Sequence, residues 1–349
     1  MSSFTPLYLD HLVMKSEVIL LATKISEFKG KQGLFQRQVP QVLETLQQNA
    51  FIQSTESSNR IEGIYVSSKR LESIVWNAAN PENRPEGEIA GYRDVLNTIH
   101  THAEHIPLTP SVIQQLHRDL MKYSGTGGRW KLIDHFIEEK LSTGETRIRF
   151  KPTPAWRTDE AMRELCDAFK RARDRGDLPD YVLIGLFILD FFCIHPFSDG
   201  NGRMARLLTL LLLYQSGYAV GKYISLEKVI EDTKIQYYNT LEISSQKWHD
   251  SAHDCNPWIN YFLTMLLEAY HRFESRVGTL ESSQKRGWKK ERILNIVEGF
   301  IADFTIADVE ELCPGISRST ITKTLNELGR KGTIVCIEHG RHARWVKKL

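Results

Sequence analysis

Across positions 195–206 the chain reads His195-Pro196-Phe197-Ser198-Asp199-Gly200-Asn201-Gly202-Arg203-Met204-Ala205-Arg206. That run sets a base, a carboxylate, a glycine-rich turn and two guanidinium groups side by side. Imidazole is the one side chain there whose ordinary pKa suits proton transfer near neutrality. Asp199 offers the hard oxygen that Mg2+ prefers when it bridges phosphates. A Gly200-Asn201-Gly202 turn opening a helix would leave several N–H groups pointing one way, with the helix dipole behind them, which suits an anion. Arg203 and Arg206 would share one face of that helix and could both grip phosphate oxygens. The constellation outlines a phosphoryl- or nucleotidyl-transfer site. A capped helix–helix turn would account for the glycines, but charges between two apolar helices are costly to bury without a purpose.

The elements that must position these groups are legible on either side. Tyr181 to Ile194 is too long and apolar for a typical strand, and Leu207 to Tyr214 reaches helix length once Met204 to Arg206 are added. Both are expected as buried helices. Pro196 stops the first, and Gly200 and Gly202 turn the backbone tightly into the second.

The motif His-Pro-Phe-Ser-Asp-Gly-Asn-Gly-Arg-Met-Ala-Arg resembles the signature of the Fic (filamentation induced by cAMP) family at every position of the usual pattern. The resemblance implies a mainly α fold, a helical core with a β-hairpin flap, and transfer of AMP from ATP to a protein hydroxyl. It implies His195 as the base and Asp199 as the Mg2+ ligand. Gly200, Asn201 and Gly202 would hold the α-phosphate, and Arg203 and Arg206 the β- and γ-phosphates. A second match lies upstream. Ser58-x-x-x-Glu62-Gly63 resembles the inhibitory motif of one Fic class, in which the glutamate pairs with the second motif arginine, here Arg206, and displaces the γ-phosphate. A carboxylate and a phosphate do compete for one guanidinium fork. Alone, Glu62 would read as a solvated helix carboxylate and Ser58 as a helix-start residue. Tyr237-Tyr238-Asn239-Thr240-Leu241 is similar to the stretch beside the family's adenine pocket, although both tyrosines could equally be packing residues. Leu132 to Glu138 and Thr146 to Phe150, around a Ser142-Thr143-Gly144-Glu145 turn, read as a hairpin, and in Fic proteins such a flap pairs with the target's main chain. A homodimer is a further implication of the family.

The rest of the chain bounds these readings. With 349 residues, 41% hydrophobic and 25% charged, the composition is that of a soluble protein of more than one domain. No apolar run is long enough to span a membrane, the opening does not read as a signal peptide, and five scattered cysteines fit a reducing cytoplasm rather than disulfides or zinc. Helices are expected over the first 50 residues with a break at Gly30-Lys31-Gln32-Gly33. Thr109 should cap a helix at Pro110, with His117 an ordinary residue in it. One helix is expected over 225–244, another over 256–276, and a linker over 278–287. The expected domains are an N-terminal helical region with the inhibitory motif (1–107), a catalytic core (108–277) and a small C-terminal domain (285–349).

That last domain carries thirteen Lys/Arg against eight Asp/Glu, a charge of +5 against −3 for the remainder. Three amphipathic helices and a Gly332–Val346 hairpin resemble a winged helix-turn-helix. Its third helix, capped by Ser317, would offer Arg318, Thr320 and Lys323 to duplex DNA, with Arg341 and Arg344 in the wing. The expected partners are a target protein bearing a Ser, Thr or Tyr hydroxyl, the chain itself included, and duplex DNA. Three alternatives stay open: a DNA-binding regulator with a nucleotide-sensing core, transfer of a different phosphate-containing group, and removal of AMP by water positioned near a glutamate.

Overall fold

The structure is a computed structural model, describing residues 3–347 except 39, 78, 141–145, 285–287, 301–302, 314–315, 339 and 341–342. The chain divides into two units, Met1–Glu274 and Ser275–Leu349.

The first unit is built from helices α1 (Pro6–Asp10), α2 (Ser16–Gln38), α3 (Pro40–Ile61), α4 (Ser68–Asn77), α5 (Arg84–His102) and α6 (Pro110–Leu120). A hairpin of β1 (Ile137–Lys140) and β2 (Thr146–Phe150) follows, then α7 (Thr158–Arg175), α8 (Asp180–Ile194), α9 (Asn201–Gln215), α10 (Leu226–Asp232), α11 (Lys234–Ser245) and α12 (Asn256–Gln284), whose residues from Ser275 onward are counted in the second unit. α8 and α9 are the buried pair that the apolar runs require. Every residue of α8 from Tyr181 to Ile194 is buried except Phe192, and α9 is buried from Arg203 to Tyr214. The one buried charge of α8, Asp190, accepts hydrogen bonds from the Ser3 N–H (3.2 Å), the Ser3 hydroxyl (2.5 Å) and Trp248 Nε1 (2.7 Å). Local capping sets the neighbours. Asn83 accepts from the Glu86 N–H at the start of α5, and Thr109 from the Val112 N–H at the start of α6, each ahead of an early proline.

Several element boundaries differ from expectation for identifiable reasons. α2 runs unbroken through Gly30 and Gly33, because tertiary bonds outweigh weak helix propensity there. Lys29 Nζ donates to the Ser216 carbonyl (2.7 Å), and Gln32 Oε1 accepts from the Ala219 N–H (2.9 Å). The helix expected over 225–244 is two, α10 and α11. Between them the Thr233 hydroxyl bonds both the Val229 carbonyl and Tyr261 Oη, each at 2.8 Å. α12 continues to Gln284, so most of the expected linker is helical; 285–287 lie outside the described residues. β1 begins only at Ile137, since Asp134 Oδ1 takes the Ala155 N–H (2.6 Å) and bends the preceding segment. The 142–145 turn lies outside the described residues. β1 and β2 pair antiparallel, Ile137 opposite Phe150 and Lys140 opposite Thr146.

The second unit contains α13 (Trp288–Gly299), β3 (Phe304–Thr305), α14 (Ile306–Leu312), α15 (Arg318–Arg330), β4 (Ile334–Glu338) and β5 (Arg344–Lys347). The strands form an antiparallel sheet in the order β3-β5-β4, one strand more than the hairpin alone. Ile293, Val297, Phe304, Val309, Ile321, Leu325, Leu328 and Trp345 make a separate core.

Candidate active site

The loop joining α8 to α9 carries the chemistry and holds its own shape. α8 is capped by His195, whose backbone is left-handed (φ 50°, ψ 63°), a conformation costing a non-glycine residue roughly 1–2 kcal/mol. The Asn201 side chain then closes the loop, its Oδ1 accepting from the Phe197 N–H (2.9 Å) and its Nδ2 donating to the Phe197 carbonyl (2.7 Å). Gly200, at φ +77°, makes the turn into α9. The first hydrogen bond of that helix runs from the Met204 N–H to the Gly200 carbonyl, so the N–H groups before it lie outside the helical ladder.

A cavity of about 150 Å3 opens in front of this helix start. His195 and Gly202 line one side, Tyr237, Tyr238 and Leu241 of α11 another, and Ile137, Arg149 and Phe150 of the hairpin a third. Tyr237 is buried against Trp258, with ring centroids 5.7 Å apart, so it packs and lines the cavity at once. The hairpin is tied to α11 by Arg147 Nη2 to Glu242 Oε1 (2.7 Å) and by Arg149 to Glu242 Oε2.

Glu62 also lines this cavity, reaching it from the end of α3, where Gly63 turns the chain at φ +80°. Its Oε1 lies 2.7 Å from Arg206 Nη2 and so close to Gly202 that a Cβ there would collide with it. Arg206 is fully buried. Its Nε donates to the Ser58 hydroxyl (2.8 Å) and its Nη2 to the Ser58 carbonyl (2.9 Å). Burial works against its charge, but Glu62 together with Tyr237, Tyr238 and Tyr92 outweighs it and its pKa is raised. Ser58, Glu62 and Arg206 thus meet although the first and last stand 148 positions apart.

Arg203 is equally buried and pairs with Glu88 of α5, Nη1 to Oε2 at 2.8 Å. Asp199 lies at the loop's outer side with its carboxylate half exposed. Its Oδ1 accepts from the Gly200 N–H (2.6 Å), and its Oδ2 meets Arg84 Nη2 at 3.0 Å. A single carboxylate at the mouth of an anion site suits Mg2+, which takes one or two carboxylates and completes its shell with phosphates and water. Among the described residues no three His, Cys, Asp or Glu side chains cluster as a self-sufficient metal site.

The sequence reading passed over three residues here. His117 is no ordinary helix residue. It is buried, its ring stacks on Phe197 (3.6 Å between centroids, 9° between planes), and its Nδ1 accepts from the Gly128 N–H (2.9 Å). That fixes the proton on Nε2, which donates to the Asp199 carbonyl (3.0 Å). Glu88 and Lys131 are the others, and only the fold brings them near the motif. Burial pushes His195 down to about 4, helped by the nearby Lys131 cation, and burial likewise takes His117 to about 4, so both rings are neutral near pH 7.

In the second unit, Arg318, Ser319, Thr322, Lys323, Asn326 and Arg330 form an open polar face of α15. Arg318 is paired with Glu310 (2.7 Å), and the Thr320 hydroxyl is drawn into the helix cap by Ser317 (2.9 Å). Arg344 pairs with Asp303 (2.9 Å), and Arg341 lies outside the described residues. No helix among the described residues is long and apolar enough to cross a membrane.

Residues 107–213 match the family model described as the Fic/DOC family. A stretch of 112 residues is 32% identical to the protein adenylyltransferase and cysteine protease IbpA of Histophilus somni, covering 32% of this chain but 2% of that protein. A Fido domain-containing protein of Dictyostelium discoideum is 29% identical over 118 residues, 34% of this chain and 78% of its own length. Among solved structures, that of a Fic family protein from Desulfovibrio desulfuricans G20 is similar with a TM-score of 0.63 and 19% identity, over 97% of each chain.

Proposed function

From the premise that residues 107–213 are a Fic/DOC domain on a Fic fold, we propose that the protein is a protein adenylyltransferase restrained by Glu62. The observation that carries this reading is one cavity lined by a neutral imidazole, the start of α9 at Gly202 and the Glu62 carboxylate, which is paired there with the buried Arg206. His195 takes the proton from a Ser, Thr or Tyr hydroxyl of the target. The hydroxyl oxygen then bonds to the α-phosphorus of ATP, and the bond from that phosphorus to the bridging oxygen breaks, releasing pyrophosphate. Asp199 would hold Mg2+, which neutralises phosphate charge. Asn201 and Gly202 offer N–H groups to the α-phosphate beyond the Gly200 turn, Arg203 and Arg206 meet the β- and γ-phosphates, and Tyr237 and Tyr238 flank the adenine. IbpA, named an adenylyltransferase, supports AMP as the moved group.

The test is ATP labelled at the α-phosphate with candidate targets and the chain itself, with products weighed by mass spectrometry. An added mass of AMP that disappears with His195→Ala, a loss of roughly 10²–10⁴-fold, is the expected result. A different added mass would reassign the group, and full turnover without His195 would remove the base. The open polar face of α15, which carries Arg318, Lys323 and Arg330 against Glu327, favours a second role for the C-terminal unit, binding to duplex DNA. The full chain should bind a duplex with affinity that falls as salt rises, and Lys323→Ala should weaken it. No binding at low salt would turn that face over to a protein partner.

A further inference from the structure

His195 is a left-handed residue at the end of a helix, and something must hold it there. Lys131 does so from both sides. Its N–H donates to the Pro196 carbonyl (2.8 Å), and its Nζ donates to the Ile194 carbonyl (2.9 Å). The two bonds bracket the one residue between those carbonyls. Lys131 is 2% exposed and among the largest fully buried side chains of the protein. A buried ammonium is costly unless its surroundings favour the charge. Here they do. Ile194 is the last residue of α8, whose final carbonyls have no partner within the helix and form the negative end of its dipole.

We infer that Lys131 is the positioning residue for His195, locking the main chain on both sides of it so that the ring stays on the cavity wall. This rests on the proposed role of His195 as base. A neutral residue of the same length would fill the same space without the cost of a buried charge, so the charge itself is being used. It has a second effect. The charged and titratable groups facing the His195 ring are Lys131 and His135 from the segment before the hairpin and Glu62 from the end of α3. After burial, the Lys131 cation is the main influence holding the imidazole in its neutral, proton-accepting form, and burial in turn takes Lys131 itself down to about 8.

The experiment compares Lys131→Met, which keeps length and removes charge and donor, with Lys131→Arg, which keeps both. In full-length protein the His195 ring is followed by NMR, its signal identified by loss in His195→Ala, and AMP transfer is measured in a Glu62→Gly background. In Lys131→Met the His195 pKa should rise by about one unit or more as the neighbouring cation is lost. Its kcat should fall at least about tenfold with KM for ATP within about threefold, since misplacement of a catalytic group is felt in the chemical step. Lys131→Arg should keep the imidazole near its original pKa and recover most of kcat. If circular dichroism shows that Lys131→Met does not fold, Lys131→Gln, neutral but still a donor, reads the same titration. An unmoved His195 titration in the neutral variant, or an arginine variant as damaged as the methionine one, overturns the inference. The NMR arm needs no turnover, so failure of the transferase reading, seen as unchanged transfer in His195→Ala, stays distinguishable from failure of the Lys131 assignment.

Discussion

The two arginines of α9 stand three residues apart and are equally buried, yet their carboxylate partners differ in kind. Arg203 is paired with Glu88 in the second turn of α5, itself almost inaccessible at 7% side-chain exposure. Arg206 is paired with Glu62 one residue past the end of α3, 30% exposed and followed by a left-handed glycine. The remaining bonds of Arg206 go to Ser58, inside the helix. The first pair is scaffold, since moving Glu88 would mean moving a packed helix. The second is a partner that can leave, because Glu62 sits where the chain already turns and Ser58 can keep the guanidinium in place without it. A phosphate arriving at the helix start would displace only one of the two carboxylates.

Activity is where this contrast should be greatest. Glu62→Gly should raise AMP transfer roughly 5–150-fold, the span of typical coupling energies, and adding Arg206→Ala should cancel the gain. Glu88→Gln should lower transfer. Activation by Glu88→Gln in the same labelling assay would erase the distinction between the pairs.

Stability should order them the other way. Glu88→Ala leaves a fully buried Arg203 with only the longer contact to the half-exposed Asp199 (3.5 Å) and should cost about 3–5 kcal/mol in denaturant unfolding. Glu62→Ala, at a third-exposed site with Ser58 still bonded to Arg206, should cost no more than about 1 kcal/mol. Equal losses would mean that both are scaffold. Ser58→Ala sharpens the same point. It removes a hydrogen bond to a charged group worth about 1.5–3 kcal/mol, and should weaken ATP-independent retention of Arg206, read as greater protease sensitivity of α3.

The loop between the pairs is read through pH. His117 and His195 have folded pKa values of about 4, below the ordinary 6.5. A depressed histidine contributes stability above pH 6.5 that is lost as pH falls toward 4, because the unfolded chain takes up the proton first. The slope is about 1.4 kcal/mol per pH unit for each ring in that window. His117→Gln should flatten the decline in urea-unfolding stability between pH 6.5 and 4; an unchanged slope would place the sensitivity elsewhere.

The residues of the α8–α9 loop could be read as a group because the chemistry is local in sequence. The helices around it were legible because apolar runs of that length have few alternatives. Glu88 and Lys131 were not legible, since a buried charge looks like a solvated one until its partner is known. His117 was read as ordinary because nothing in its own helix marks the ring that stacks on it. The Gly30–Gly33 break and the single 225–244 helix failed for a related reason. Local propensity was overruled by bonds to Ser216 and Ala219 in the first case and to Tyr261 in the second.

The brace between Asn201 and Phe197 has a thermodynamic consequence. By bonding both the N–H and the carbonyl of one residue, the amide closes a small ring within the loop and removes its backbone freedom during folding. Ordering a residue costs about 1–2 kcal/mol at 25 °C. A floppy loop would incur that cost each time a nucleotide arrived; this one incurs it once, with the fold. The Phe197 amide should therefore exchange with solvent deuterium as slowly in the nucleotide-free protein as in the complex, marking the anion site as a rigid receptor whose occupancy is decided by competition rather than by disorder.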